Sequence, residues 1–177
     1  GAGDSEPLRQ DPDAGVRGLS EWLEQTRQSN TVYAPATKVW RTLVAPDGRI
    51  GAVVEAILSG ERDAQSRASA LVQALSDQET VDNLIHETDA ELRPEVHGKR
   101  IEARAMNKLR ANADTAANKL NSWLEAAAAL SDVERGSGDE ANHDRLAKSL
   151  EEAKGQTQEL LESGSPVVSV AAAALLR

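Results

Sequence analysis

The chain has no cysteine and no phenylalanine, with one tyrosine, one methionine and three tryptophans among 177 residues. Without thiols there is no disulfide scaffold, no thiolate zinc site and no cysteine nucleophile. The scarcity of aromatic and β-branched residues argues against a large β-domain. Positive charge is also short: 20 Lys and Arg stand against 29 Asp and Glu, a formal −9. A dedicated nucleic-acid binder needs excess cations to displace phosphate counterions. An anionic membrane surface makes the same demand. Both partners are disfavoured on charge. Long apolar runs are missing too. The run from Val167 to Leu176 is too short to span a bilayer, which takes roughly 20 residues.

What is present is helix-forming material, with 29 Ala and 19 Leu. One domain, or one domain with a small appendage, suits this length. The chain opens Gly1-Ala2-Gly3, which reads as a cloning or protease scar. Residues 4–15 are polar and carry Pro7, Pro12 and Gly15; with the scar they read as a mobile arm, 1–15. The missing initiator Met points to a domain excised from a larger protein.

Apolar spacing predicts helices over 16–28, with Val16, Leu19, Trp22 and Leu23 on one face, and over 36–44, with Val39, Trp40, Leu43 and Val44. Between 50 and 59, Ile50, Val53, Val54, Ile57 and Leu58 repeat at i, i+3, i+4, i+7 and i+8, the face of a core helix. A helix over 61–75 follows. Ser76-Asp77-Gln78-Glu79 matches a capping box that would start the next helix, which ends at Pro94. Together 16–92 reads as a globular helical part.

Residues 95–130 contain no Pro and one Gly, predicting a long helix of roughly 50–55 Å. Its inward positions Leu109, Ala113, Ala116, Leu120, Trp123, Ala127 and Leu130 follow the alternating spacing of a coiled-coil seam. A loop at 134–139 leads to a helix over 140–162. If the chain reverses around Gly136, Leu146 faces Ala126, Leu150 faces Ser122, and Leu160 approaches Asn112 and Ala113. The segment 93–163 is thus a long helical hairpin. Residues 164–177 read as a short apolar core helix; the alternative is a cut through a polypeptide that continues past Arg177. The fold expectation is all-α: an elongated antiparallel helical bundle, with the long central helix shared and the hairpin projecting.

Arg100, Arg104 and Lys108 form a basic stripe at i, i+4, i+8, where like charges repel unless partnered. Reversal near Pro94 to Gly98 places Arg104 by Glu87, Arg100 by Asp89 and Glu91, and Lys108 by Asp82. Otherwise the stripe is a docking strip. Trp123, with Leu120 beside it in the seam, is a large indole in an Ala-rich stripe and a candidate partner contact.

The motifs that carry chemistry are incomplete. His86-Glu87 begins like a zincin pair, but position 90 is Ala, so a second ligand is missing. Glu140 and His143 have the spacing of a di-iron helix, which needs two such motifs and two further Glu. Asp47 to Gly51 leads into a helix but lacks the Lys and Ser/Thr of a phosphate loop. No metal and no cofactor follow from these residues. Arg93 and His97 are similar to the Arg–His pair of HEPN ribonucleases, which are helical bundles. In that family four to six residues separate the pair; here three do, and one is Pro94. The resemblance covers a handful of residues. It implies a His general base and an Arg that stabilises charge at a phosphodiester.

The expectation is a non-catalytic helical interaction, linker or oligomerisation module of a larger cytoplasmic protein. Its partner is another protein, another domain of the parent chain or a second copy of itself. The alternatives are a helical nuclease using Arg93, His97 and the basic strip, and an extracytoplasmic sensor bundle.

Overall fold

The computed structural model describes residues 18, 20–24, 34–96, 98–136 and 140–177. The expected arm over 1–15 lies outside them. Residues 20–24 are helical. Seven α-helices follow: α1 (Ala34–Val44), α2 (Arg49–Leu58), α3 (Ala64–Ser76), α4 (Gln78–Leu92), α5 (Ala103–Glu134), α6 (His143–Ser163) and α7 (Pro166–Leu176). Single 3-10 turns sit at Pro94–Val96 and Glu140–Asn142. The described residues contain no strand. The protein is an all-α helical bundle.

The centre of the bundle is α7. Every residue from Val168 to Leu176 is buried, as a helix apolar on all sides requires. It packs on α1, α3, α4, α5 and α6. Ala171 to Ala174 let the surrounding helices approach closely, because a methyl group adds little girth. Its one buried hydroxyl is satisfied: Ser169 donates to the Leu161 carbonyl at 2.7 Å. The chain turns by 118° between α6 and α7 through Gly164-Ser165, and Pro166 opens the last helix, where its missing N–H costs nothing. Arg177 then lies 5.9 Å from the ring centre of Trp22, within cation–π range. Among the described residues no single helix is long and apolar enough to cross a membrane.

The long helix α5 spans Ala103–Glu134, roughly 48 Å at 1.5 Å per residue. It starts later than the expected residue 95 because Gly98 takes φ +81° and 99–102 are not helical. The residues expected to face inward do so: Ala113, Ala116, Leu120, Trp123, Ala127 and Leu130 are buried and Leu109 is partly buried. α6 folds back on α5 in the most extensive helix pairing of the molecule. The register differs from expectation by one helical turn. Lys119 pairs with Gln156 (Nζ to Oε1, 3.4 Å), and the Thr157 hydroxyl donates to the Lys119 carbonyl at 3.0 Å, where reversal at Gly136 would bring Ala153. The cause is loop length: α5 runs on to Glu134 and α6 begins only at His143, so the chain reverses beyond Gly136. The hairpin lies along the other helices instead of projecting. α5 packs on α2, α3 and α4, and α6 on α1. Arg135 clasps its tip, donating to the Leu58 carbonyl at 2.9 Å.

The capping box is a further correction. Ser76 is the last residue of α3 and its hydroxyl donates back to the Val72 carbonyl at 2.8 Å. Asp77 occupies the N-cap of α4 and accepts from the Thr80 hydroxyl. A Ser at the end of one helix finds a carbonyl four residues back before it finds the next helix's free N–H groups.

The Asp47–Gly51 segment owes its glycines to packing. A Cβ on Gly48 would sit 2.0 Å from the Thr42 carbonyl oxygen, and one on Gly51 only 1.8 Å from that of Ala45. The start of α2 lies directly on the last turn of α1. Replacing Gly51 with Ala should therefore cost at least about 1–3 kcal/mol, the overpacking range, read as a lowered urea midpoint at unchanged m-value. An unchanged midpoint would show that the two helices do not approach this closely.

Candidate functional site

An open groove of about 910 Å³ lies between α4 and the entry to α5. α4 supplies Asn83, His86, Glu87 and Ala90, which at helical spacing form one face of that helix. The other wall is the segment from Gly98 to Ile101 and the first turns of α5, with Met106 and Arg110. The groove is bounded by α4 on one side and the entry to α5 on the other. Asp82 and Arg110 hold them together at one point, with Arg110 Nη2 and Nε donating to Asp82 Oδ2 at 2.7 and 3.1 Å. These hydrogen bonds push the Arg110 pKa further up. From that point toward the reversal the chain takes a 3-10 turn and an irregular stretch before α5 begins, and the groove lies along this stretch. Met106, 5% exposed, lines the groove where it meets the core.

This geometry corrects the expected pairings of the basic strip. Asp82 is taken by Arg110, not by Lys108. Asp89 is buried and takes Arg93, one turn along its own helix, in place of Arg100. Lys99, Arg100, Arg104 and Lys108 are all exposed and form no ion pair among the described residues. Arg100 precedes α5, so the i, i+4 relation holds in a helix only for Arg104 and Lys108. On the facing wall Glu87 is partly buried and also lacks an ion-pair partner among the described residues. Charges of opposite sign thus line the two walls, Glu87 on one and Lys99 and Arg100 on the other, and the ion pair between the two helices among the described residues is Arg110–Asp82.

Trp123 and Leu120 are not surface groups. They are 2% and 0% exposed, in the core that α5 shares with its neighbours. The Trp123 indole N–H has no acceptor among the described residues, and the ring borders a small cavity of about 60 Å³. The chain's own helices close the seam around both residues.

Of the Arg–His pair, Arg93 is engaged by Asp89 through Nε at 2.9 Å and through Nη2. His97 lies outside the described residues. His86 is exposed on the groove wall. His143 sits at the hairpin tip, with Nε2 3.1 Å from Glu134 Oε1 and Nδ1 3.6 Å from Asp144 Oδ1; the Glu140 side chain lies outside the described residues. Among the described residues no three His, Asp or Glu side chains come together as a metal site. The groove was not visible in the sequence, because it depends on where α5 starts. The signal that could have found it is the crowding of five cations into 99–110 of an acidic chain. No family model matches the chain, and no curated protein or solved structure matches it significantly.

The hydrogen bond to Glu134, and after it the nearby Asp144 carboxylate, raises the His143 pKa above its ordinary value, about 6.5. The contact's stabilising contribution is therefore fully present below that unfolded-state value and fades as pH rises through the folded midpoint. An NMR titration of the His143 ring should give a midpoint above the peptide value, and Glu134→Gln should lower it. A midpoint at or below the peptide value would mean that the tip contact does not form.

Proposed function

We propose that this chain is a non-catalytic protein-interaction module that docks an acidic partner segment along the groove between α4 and the entry to α5. One observation carries the reading: Lys99 and Arg100 line the open groove, exposed and without ion-pair partners among the described residues. Clustered like charges repel one another, and an incoming carboxylate relieves that repulsion. Elsewhere the helices spend their apolar faces on one another. The seam residues and the apolar C-terminal helix are buried within the chain, which favours the groove over the seam as the place where a partner adds something.

The class of partner follows from the balance of charge. A nucleic acid brings a dense polyanion to a molecule of net charge −9, and long-range repulsion opposes it outside the strip. A short acidic protein segment meets the strip alone and offers apolar side chains to Ile101 and Met106 in the groove. The docked segment belongs to a partner protein or to another region of a larger parent chain.

The test is fluorescence anisotropy with a labelled random copolymer of Glu, Leu and Ala, and with single-stranded RNA of similar charge. The wild type should bind the copolymer with an affinity that falls with salt. The variant K99E/R100E should lose about tenfold or more, roughly 1.4 kcal/mol or above, with its helical circular dichroism unchanged. Equal affinity of wild type and variant, or tighter binding of RNA, would overturn the reading.

A further inference from the structure

We propose that Gly98 is a positioning residue of the docking site: the turn it allows between Val96 and Lys99 carries Lys99 and Arg100 to the groove. The proposal rests on the docking reading above and goes beyond it in naming what places the two cations. Three features of the reversal between α4 and α5 carry it.

The first is an unbroken series of backbone hydrogen bonds that leads from α4 to Lys99. The Arg93 N–H donates to the Asp89 carbonyl, the Val96 N–H to the Arg93 carbonyl and the Lys99 N–H to the Val96 carbonyl, each at 2.9 Å. The series is fastened at its start, where the Arg93 side chain donates through Nε to the buried Asp89 carboxylate at 2.9 Å. Arg93 itself leaves the helix, with φ −130° and ψ +78°. On the far side the first bond of α5 runs from the Met106 N–H to the Glu102 carbonyl at 2.8 Å. The main chain of Lys99 is thus held from α4, and Arg100 follows it directly.

The second is the conformation at position 98. The bond from Lys99 to Val96 closes a four-residue turn in which Gly98 is third. Its φ is +81°, the value a type II turn demands at that place and one that Gly supplies without strain, Asn less easily and other residues at a cost. Glycine also weakens the competing state. Residues 95–102 contain no Pro and could otherwise extend α5 toward its N-terminus, but Gly in a helix is disfavoured relative to Ala. Both effects hold the chain in the turn, and Ala at 98 reverses both.

The third is that nothing else in the fold requires a glycine here. A Cβ on Gly98 would meet no atom within 4 Å among the described residues. Gly48 and Gly51, by contrast, are needed where two helices touch. What Gly98 does place is the groove wall: Gly98, Lys99, Arg100 and Ile101 all line it. Lys99 and Arg100 are exposed, with long side chains that lose freedom on binding. A main chain already fixed beneath them lowers the cost of ordering, which is the gain from preorganisation.

The experiment uses the full chain and the labelled Glu, Leu and Ala copolymer. Gly98 is replaced in turn by Asn, Ala and Val, a series of falling tolerance for positive φ. Affinity should fall in that order, with Asn losing the least and Ala about tenfold, measured where urea titration shows each variant folded. A purely structural role would lower the urea midpoint in the same order and leave the affinity of the folded protein unchanged; that result would overturn the proposal, and K99E/R100E would still lose affinity if acidic docking stands. A second measurement needs no variant. If the turn must be formed for docking, saturating copolymer slows hydrogen exchange of the wild-type Lys99 amide, because a ligand that selects one state stabilises it. Unaltered exchange of that amide in the bound protein would overturn the proposal even if the Ala and Val variants failed to fold. Absence of copolymer binding by the wild type would overturn the docking reading, and this proposal with it.

Discussion

The structure depends on hiding one helix. Val168 to Leu176 are all buried, and a segment without charges has no face to turn to water. Each neighbouring helix must therefore bring an apolar stripe to it, which sets how α1, α3, α4 and α5 are arranged. The Ala run in α7 makes this possible. Small side chains let several helices converge on one axis, and the contacts that result are dispersion contacts at close range. The same arrangement fixes α6, because only 118° of turn and the residues Gly164 and Ser165 separate it from α7. The Ser169 hydroxyl bonded to Leu161 ties the two helices at their junction.

A second constraint follows from the first. With the core closed by short Ala-rich contacts, polar bonds are left to set registers. Thr157 bonds across the hairpin to Lys119, Arg135 bonds from the hairpin tip to Leu58, and Arg110 bonds from α5 to Asp82. Each ties its segment to a neighbouring helix at a defined register. Beyond Arg110 toward the reversal, where no such bond links α4 and α5 among the described residues, the groove lies between them. The placement of the site is thus a consequence of helix packing, and its charge is a consequence of which carboxylates the anchors have already taken.

Much of this was legible in the residues. The face formed by Ile50, Val53, Val54 and Ile57 is buried as its spacing required, and the seam from Ala113 to Leu130 faces inward. An apolar segment without a polar face, as in 167–176, reads as a core helix. Four things were not legible. The hairpin register turns on where α5 ends and α6 begins, and terminal residues of polar helices carry weak signals. The start of α5 turns on Gly98 adopting positive φ, which sequence permits but does not require. Ser76 had two backbone partners within reach, and local spacing could not decide between them. Finally, an apolar seam looks the same whether it is closed by its own chain or by another, so Trp123 and Leu120 could be assigned only once their neighbours were known.

The central claim is that the apolar C-terminal helix is spent as the core of this chain and is not held available for a partner. Native-state hydrogen exchange tests it directly. If α7 is the centre on which the other helices depend, the hydrogen-bonded amides from Ser169 to Leu176 exchange only through global unfolding and share its denaturant dependence. Exchange of these amides at a rate that is faster than global unfolding and insensitive to denaturant would contradict the account. It would mean that α7 leaves the bundle while the remaining helices stay folded.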